Sequence, residues 1–211
     1  MLRLTGRLYS TRRISENIFT VPNALTVSRL FMTPFIGSAI VNADYPLALA
    51  LLTTAGVTDL LDGYVARRWN QKTFIGSALD PFADKLLMTV VTGSLCYSQL
   101  LPVPLGSLII GRDLGLVAGT AYYRYVSLKP PVTLKRYFDV SLPSAEVRPP
   151  LISKVNTLLQ LTLMAASVAC PMLQIDTHHP AMTVLQILVA TTTVWSGIHF
   201  ALARDTIRIL K

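Results

Sequence analysis

Four aspartates in two closely spaced pairs are the residues of this sequence best suited to chemistry. Asp59 and Asp62 are three positions apart, and Asp80 and Asp84 are four apart. On helices, each pair would project from one face. Converging carboxylates suit hard divalent ions such as Mg²⁺ or Mn²⁺. Because carboxylates with bound metal attract a diphosphate, the spacing predicts a metal-dependent site for a phosphorylated substrate.

The segments around these aspartates are long and apolar. The chain of 211 residues is 52% hydrophobic and only 14% charged, whereas soluble domains carry about 25% charged residues. Apolar runs of this length predict an all-α membrane protein. Its six predicted spans cover residues 24–41, 46–66, 78–100, 104–126, 152–173 and 181–203. Cys96 and Cys170 both lie in apolar runs, which favours small core residues over a disulfide or a metal site.

The basic residues are distributed to one side of the predicted bundle. Connections 42–45, 101–103 and 174–180 contain no Lys or Arg, whereas the termini and the remaining connections are basic, and the net charge is +8. This bias predicts that both termini face the cytosol or a mitochondrial matrix. Topology and attraction to anionic lipids account for the positive charge, so we expect no nucleic-acid partner.

Two polar segments remain open to two interpretations each. Residues 1–22 are Arg-rich with a single acid, Glu16, which is typical of either a mitochondrial targeting segment or an interfacial amphipathic helix. We therefore separate this segment from a membrane domain over residues 23–211. The Pro-rich stretch 127–150 is either a plain surface loop or a basic, aromatic lid over the polar end of the bundle.

Further polar residues occur inside the predicted spans, near their basic ends. They include Arg29 in the first span, the Arg112–Asp113 pair in the fourth, and Lys154 with Asn156 in the fifth. Together with Arg67, the cations either hold a further phosphate or balance the aspartates. A packing pair for Arg112–Asp113 and a snorkelling role for Lys154 are the alternatives.

Small and special residues surround the aspartates. Gly63 and Ala66 would let a helix or a flat nucleotide approach the backbone closely. Gly76 would let the chain turn back into the membrane, and Pro81 fits the first turn of the third span. These expectations place a tight corner between the second and third spans.

The complete pattern resembles the signature of the CDP-alcohol phosphatidyltransferases. That signature reads D-x-x-D-G-x-x-A-R-x8-G-x-x-x-D-x-x-x-D, and the six-span layout of that family also agrees. The resemblance covers the chain from about residue 21 to its end. Every fixed position is filled, by Asp59, Asp62, Gly63, Ala66, Arg67, Gly76, Asp80 and Asp84.

Other features are similar to one branch of that family, the eukaryotic mitochondrial cardiolipin synthases. The similar segments are 21–29, 78–85, 101–105, 112–113 and 152–157. Phosphatidylglycerophosphate synthases resemble the chain too. They more often have Arg-Glu at the position of Arg112–Asp113 and a second lysine at the position of Asn156. This departure favours phosphatidylglycerol as the acceptor alcohol, with glycerol-3-phosphate as the alternative.

The resemblance implies transfer of a phosphatidyl group from CDP-diacylglycerol to an alcohol, with release of CMP and, in that branch, formation of cardiolipin. It implies a homodimer in the mitochondrial inner membrane with its active site and both termini on the matrix side. A cation transporter is a remote alternative from another class, because buried acids also build ion paths. Against it, the acids cluster at one face and do not cross the bundle.

The resemblance also implies roles for individual residues. Two divalent ions, Mg²⁺ or Mn²⁺, would be bound by Asp59, Asp62, Asp80 and Asp84. Asp84 would be the general base on the acceptor hydroxyl. The CDP moiety would lie along Asp59, Gly63, Ala66 and Arg67. The residues expected at the acceptor headgroup are Arg29, Arg112, Lys154 and Asn156.

Overall fold

The computed structural model describes residues 20–68, 74–127, 146–147, 151–175, 179–202 and 207–208. Within them it has six α-helices: α1 (Val21–Val41), α2 (Tyr45–Arg68), α3 (Phe74–Tyr97), α4 (Val103–Ser127), α5 (Leu151–Met172) and α6 (Pro180–Leu202). A two-residue antiparallel pair joins β1 (Glu146–Val147) to β2 (Ile207–Arg208). Six helices at the predicted positions and the all-α class are therefore confirmed, with this short strand pair as the sole addition in the described part of the chain.

Four of these helices are long and apolar enough to cross a membrane. The qualifying stretches are Asn23–Val41, Val103–Tyr122, Leu151–Met172 and Pro180–Leu202. Helices α2 and α3 contain Asp59, Asp80, Asp84 and Lys85, and both pack against α1.

Helix α1 shows how the bundle distributes polarity. Its buried face includes Asn23, Thr26, Arg29 and Thr33, spaced three or four positions apart, all at most 7% exposed. By contrast, Phe35 is 65% exposed. In water this arrangement would be unfavourable. In a bilayer, apolar side chains can face lipid, and polar groups must find partners inside the bundle.

The helices form two groups that contact each other. Helix α1 packs against α2 and α3, whereas α6 packs against α4 and α5. Contacts of α2 and α3 with α5, and of α3 with α4, join the groups. The α1–α3 contact is close at Gly37, where an added Cβ would lie 2.8 Å from Val90 Cγ1. Glycine is therefore required for this approach, which brings the polar face of α1 against α3.

Three short turns lie at the end of the bundle opposite Asp59, Asp80 and Asp84. Each contains a non-glycine residue in the left-handed region: Ala43 (φ 59°), Gln99 (φ 59°) and Gln174 (φ 55°). In each turn, a backbone N–H donates to the carbonyl five residues earlier, as from Asp44 to Ala39 at 2.9 Å. This hydrogen bond is typical of a helix end with a left-handed residue. The turns align the helices that carry the polar residues.

The start of α3 differs from the sequence-based expectation. The helix begins at Phe74, so Gly76 lies within it, and Pro81 is an interior residue rather than a first-turn residue. Both expectations about this corner were therefore wrong. The reason is that proline fixes φ at a helical value and removes one hydrogen bond, which membrane helices tolerate when neighbouring groups compensate.

Several expectations fall on residues that the structure does not describe. These are the targeting or interfacial character of residues 1–22, apart from 20–22, and the lid over residues 127–150, apart from 127 and 146–147. Both stay predictions.

Candidate active site

One buried arginine organises the carboxylates where α1, α2 and α3 meet. Arg29 Nη1 lies 2.7 Å from Asp59 Oδ1 and 2.5 Å from Asp84 Oδ1. The Arg29 side chain is 1% exposed, whereas the side chains of Asp59 and Asp84 are 48% and 47% exposed. A buried cation therefore holds two carboxylates from different helices, and each keeps about half of its surface accessible.

A second contact ties α1 to α3 beside the first. Thr26 Oγ1 donates a hydrogen bond of 2.5 Å to Asp80 Oδ1. Thr26 and Arg29 are three apart on α1, and Asp80 and Asp84 are four apart on α3, so each pair lies on one helix face. Sequence reasoning missed Thr26. The signal was available, because Asn23, Thr26, Arg29 and Thr33 form a polar stripe at helical spacing in an otherwise apolar segment.

The remaining residues of the acidic motif lie on the same two helices. Asp62, Gly63, Ala66 and Arg67 belong to the last turns of α2, and Gly76 to the first turn of α3. Their side chains are outside the described part of the structure. Their predicted roles in metal and CDP binding accordingly stay predictions.

The arrangement fits a divalent cation by its donor chemistry. Asp59 and Asp84 meet at one cationic nitrogen, and Asp80 lies one helical turn from Asp84. Half-exposed carboxylates are hard oxygen ligands of the kind that Mg²⁺ and Mn²⁺ prefer. Among the described side chains, no three acidic, histidine or cysteine residues already lie at ion-binding distances. Asp59, Asp80 and Asp84 therefore have the donor chemistry for the cation, although they do not yet converge on one point. The side chain of Asp62 lies outside the described residues.

A second polar cluster lies where α4, α5 and α6 meet. Arg112 Nη1 contacts Asp113 Oδ1 at 2.7 Å, and Arg112 Nη2 donates to Ser153 Oγ at 2.7 Å and to Ser196 Oγ at 2.6 Å. The side chains of Arg112 and Asp113 are 4% and 6% exposed. Both charges are therefore buried, and hydrogen bonds from three helices compensate for their lost hydration.

Asp113 also connects this cluster to the acidic site. Its second oxygen, Oδ2, lies 2.8 Å from Lys85 Nζ on α3. Lys85 directly follows Asp84 in the sequence. One buried carboxylate is thus shared by two cations on neighbouring helices. Sequence reasoning recorded the Arg112–Asp113 pair but missed its partner Lys85.

Buried amides extend the second cluster deeper into the bundle. Asn156 Oδ1 accepts hydrogen bonds from Thr192 Oγ1 at 2.8 Å and Thr193 Oγ1 at 3.0 Å, and Gln160 Nε2 donates to Thr193 Oγ1 at 3.3 Å. Within the described residues, Arg112 Nε, Asn156 Nδ2 and Gln160 Oε1 have no hydrogen-bond partner. Because buried polar atoms normally have partners, these three could accommodate water or a polar ligand group.

The four residues predicted at the acceptor headgroup are divided between these places. Arg112 and Asn156 belong to the second cluster, and Arg29 contacts the aspartates. Lys154 lies on α5 and is exposed. Their contact with an acceptor stays a prediction.

Two surface grooves lie on outward-facing helix surfaces. One, of about 950 Å³, follows α6 past Val194, Trp195 and Ile198. The other, of about 520 Å³, follows α2 from Pro46 to Thr58. Both are mainly apolar, so they suit acyl chains rather than the charged groups of a reaction.

The sequence of this chain matches the model of a known protein family. The model of the CDP-alcohol phosphatidyltransferase family matches residues 19–204. The chain belongs to the CDP-alcohol phosphatidyltransferase family. The family is one of membrane proteins that use a divalent metal. Membership confirms the resemblance seen in the acidic motif and, with the apolar helices, makes the chain a multi-pass membrane protein.

Individual relatives of this family member have more specific names. The chain is 42% identical over 211 residues to "Probable cardiolipin synthase (CMP-forming)" of Drosophila melanogaster, covering 99% of this chain and 65% of the relative. It is 42% identical over 207 residues to "Cardiolipin synthase (CMP-forming)" of Homo sapiens, covering 96% and 67%. The chain thus spans about two thirds of these relatives' lengths.

A relative with another acceptor in its name is less similar. The "CDP-diacylglycerol--glycerol-3-phosphate 3-phosphatidyltransferase 1, chloroplastic" of Oryza sativa subsp. japonica is 37% identical over 197 residues, covering 92% of this chain and 59% of the relative. Sequence identity to this chain is therefore higher for the relatives named for cardiolipin synthesis than for this one.

Proposed function

We propose that this chain transfers a phosphatidyl group from CDP-diacylglycerol to phosphatidylglycerol, forming cardiolipin and releasing CMP. The observation that carries the proposal is the pair of half-exposed carboxylates, Asp59 and Asp84, held together by the buried Arg29. Family membership supports the reaction class, and the relatives named cardiolipin synthase support the acceptor.

The donor binds at the acidic site in this proposal. Asp59, Asp62, Asp80 and Asp84 would hold the divalent metal, which would neutralise charge on the diphosphate when bound. Gly63, Ala66 and Arg67 lie along the CDP moiety. Arg29 and Thr26 hold the carboxylates of α2 and α3 in place before substrate binds, which reduces the reorganisation that the reaction requires.

The acceptor hydroxyl reacts at Asp84. The carboxylate of Asp84 accepts the proton as the hydroxyl oxygen attacks the phosphorus of the phosphatidyl group. A new P–O bond forms, and the bond between that phosphorus and the oxygen of CMP breaks. In this single displacement, Asp84 receives the proton, the acceptor oxygen binds the phosphorus, and CMP leaves.

The second cluster provides a site for the anionic acceptor headgroup. Arg112 hydrogen-bonds two neutral serines, Ser153 and Ser196, as well as Asp113, and within the described residues its Nε has no partner. A phosphodiester would be attracted to this guanidinium. Arg112 and Asn156, with exposed Lys154, are the proposed contacts, and Arg29 acts through the aspartates. The apolar groove along α2 leaves room for an acyl chain of CDP-diacylglycerol, the lipid whose headgroup binds at the acidic site in this proposal.

Glycerol-3-phosphate is the second candidate acceptor. The rice relative named for that acceptor is 37% identical to this chain over 92% of its length, so the same fold supports both reactions. Both acceptors present a primary hydroxyl and a phosphate, and the two reactions differ only in what else the phosphate carries. We favour phosphatidylglycerol because the relatives named for cardiolipin synthesis are more similar.

The proposal extends to setting and assembly. We place the protein in the mitochondrial inner membrane as a homodimer, with two divalent ions and with the active site and both termini on the matrix side. Support for this side comes from the basic termini and connections.

The test is a reconstituted assay of the purified full chain. Vesicles contain CDP-diacylglycerol with Mg²⁺ or Mn²⁺, and phosphatidylglycerol and glycerol-3-phosphate are offered in parallel. Lipid products are resolved by mass and released CMP is quantified. We expect cardiolipin with stoichiometric CMP, and loss of both when the metal is chelated.

Two other results have distinct meanings. Formation of phosphatidylglycerophosphate with no cardiolipin would show that glycerol-3-phosphate is the acceptor, and the proposed phosphatidyl transfer would still hold. Absence of CMP with either acceptor, from folded protein, would overturn the proposed function.

A further inference from the structure

The charged residue next to Asp84 has a partner that the reaction as proposed does not use. Lys85 Nζ lies 2.8 Å from Asp113 Oδ2, and the other oxygen of Asp113 contacts Arg112 at 2.7 Å. The Asp113 side chain is 6% exposed and that of Lys85 is 32% exposed. The contact thus ends in a fixed, buried anion on α4 and not in solvent.

Successive residues on a helix point about 100° apart, so Asp84 and Lys85 face different neighbours. Asp84 faces Arg29 on α1, and Lys85 faces Asp113 on α4. Thr26 on α1 also holds Asp80. One short stretch of α3 is therefore fixed to α1 on one side and to α4 on the other, which restricts rotation of α3 about its axis.

This stretch of α3 has a local weakness that makes such contacts useful. Pro81 lies inside the helix, between Asp80 and Asp84. Proline donates no backbone hydrogen bond and its ring crowds the preceding turn, so the helix is weakened there. Because the backbone hydrogen bonds hold α3 less firmly at this point, side-chain contacts to neighbouring helices can fix the orientation of its residues.

We propose that Lys85 and Asp113 form a positioning pair that sets the rotation of α3 and thereby the direction of the Asp84 carboxylate. The proposal rests on the proposed function, in which Asp84 is the base. Neither Lys85 nor Asp113 contacts the reacting atoms in this scheme. Their effect acts through the orientation of Asp84, and an error of about 1 Å in such a group can cost about 100-fold in rate.

The test compares Lys85→Met with Lys85→Arg in the reconstituted full chain. Lys85→Met removes the cation and leaves Asp113 paired with Arg112, so the buried carboxylate keeps a partner. Lys85→Arg retains a cation that can reach Asp113. The matched control is Thr89→Ala, one turn further along α3, whose hydroxyl donates to the Lys85 backbone carbonyl.

We expect kcat of Lys85→Met to fall about 10- to 100-fold with the acceptor KM little changed, because geometry at the base is lost while acceptor binding remains. Lys85→Arg should recover most of kcat, and Thr89→Ala should match the unmodified protein. Thermal unfolding in detergent and the folded fraction are measured for every variant, so that kcat refers to folded protein.

Two outcomes would overturn the proposal. A raised acceptor KM with unchanged kcat would make Lys85 a binding residue. A lowered unfolding temperature with unchanged kcat per folded protein would make the pair purely structural. If another alcohol proves to be the acceptor, the same fall in kcat is expected with that alcohol, so this proposal and the proposed function fail separately.

Discussion

The α1–α3 and α4–α6 regions both combine arginine with aspartate, but they differ in which charge is accessible. In the first region the arginine is buried, with Arg29 1% exposed, and its partners Asp59 and Asp84 are 48% and 47% exposed. In the second region both members are buried, with Arg112 4% and Asp113 6% exposed. The first region presents anions held by a hidden cation. The second shares a hidden anion between two cations.

Residue type alone therefore does not define a charged site. An ion pair with one half-exposed member leaves that member available for a ligand, because water still solvates it in the ligand's absence. An ion pair with both members buried depends on its internal partners, and removing one leaves an uncompensated charge. The two regions should therefore respond in opposite ways when an aspartate is neutralised.

The largest effect is expected from Asp84→Asn in the first region. Loss of the base should lower kcat by about 10²- to 10⁴-fold. Stability should change little, because the carboxylate is half-exposed and asparagine keeps its shape. CMP release and thermal unfolding are measured together. Asp44→Asn, in the α1–α2 turn at the opposite end, is the matched control and should be fully active. Full activity of Asp84→Asn would refute its assignment as the base.

The same kind of substitution in the second region should act on stability instead. Asp113→Leu leaves Arg112 buried with only neutral partners among its described contacts, Ser153 and Ser196. Breaking a buried pair in this way costs about 3 to 5 kcal/mol. Thermal or denaturant unfolding in detergent measures the loss, and the double variant with Arg112→Met should recover part of it. A stability equal to that of Asp84→Asn would remove the contrast between the regions.

The third prediction concerns ligand binding at the second region. Arg112→Met should raise the acceptor KM about 10- to 100-fold, because hydrogen bonds to a charged group contribute about 1.5 to 3 kcal/mol. The KM for CDP-diacylglycerol should stay the same. Steady-state kinetics with each lipid varied in turn separates the two. Equal increases in both KM values would indicate that the regions do not divide the substrates as proposed.

The smallest effect lies away from both regions. Ala43 closes α1 with φ 59°, a conformation that glycine adopts without strain. Ala43→Gly should raise the free energy of unfolding by about 1 kcal/mol or less, since the relief of backbone strain is partly offset by the greater conformational entropy of glycine in the unfolded chain. Kinetic parameters should not change. A change in kcat would show that the distant turns influence the site, so that effects on activity would not be confined to the α1–α3 and α4–α6 regions.

Much of the fold could be predicted because its determinants are local. Apolar runs and their polar interruptions follow the chain, and the helices start and end near the predicted boundaries, apart from the start of α3. Pro81 misled that prediction, because a proline preference for first turns is statistical and does not forbid an interior position. As the spacing predicted, Asp59, Asp80 and Asp84 lie at one end of neighbouring helices, and their roles in metal binding and catalysis stay predictions.

Other parts of the site could not be predicted from spacing. Arg29 was expected at the acceptor headgroup, a role that stays a prediction, and the contacts the structure shows are with Asp59 and Asp84. Lys85 had no expected partner, and the structure pairs it with Asp113. Spacing along one helix shows which residues share a face, but it does not show which helix that face meets.

Hydropathy and i, i+3 or i, i+4 spacing are properties of the chain, so the class of protein, the helical segments and the acidic motif can be inferred from the sequence. The pairing of each carboxylate with a cation, and the accessibility of each charge, depend on the tertiary structure. Ionic contacts depend on distances between helices, and those distances follow from packing, such as the approach of α1 to α3 at Gly37. That packing places Arg29 beneath two accessible aspartates and buries Asp113 between two cations.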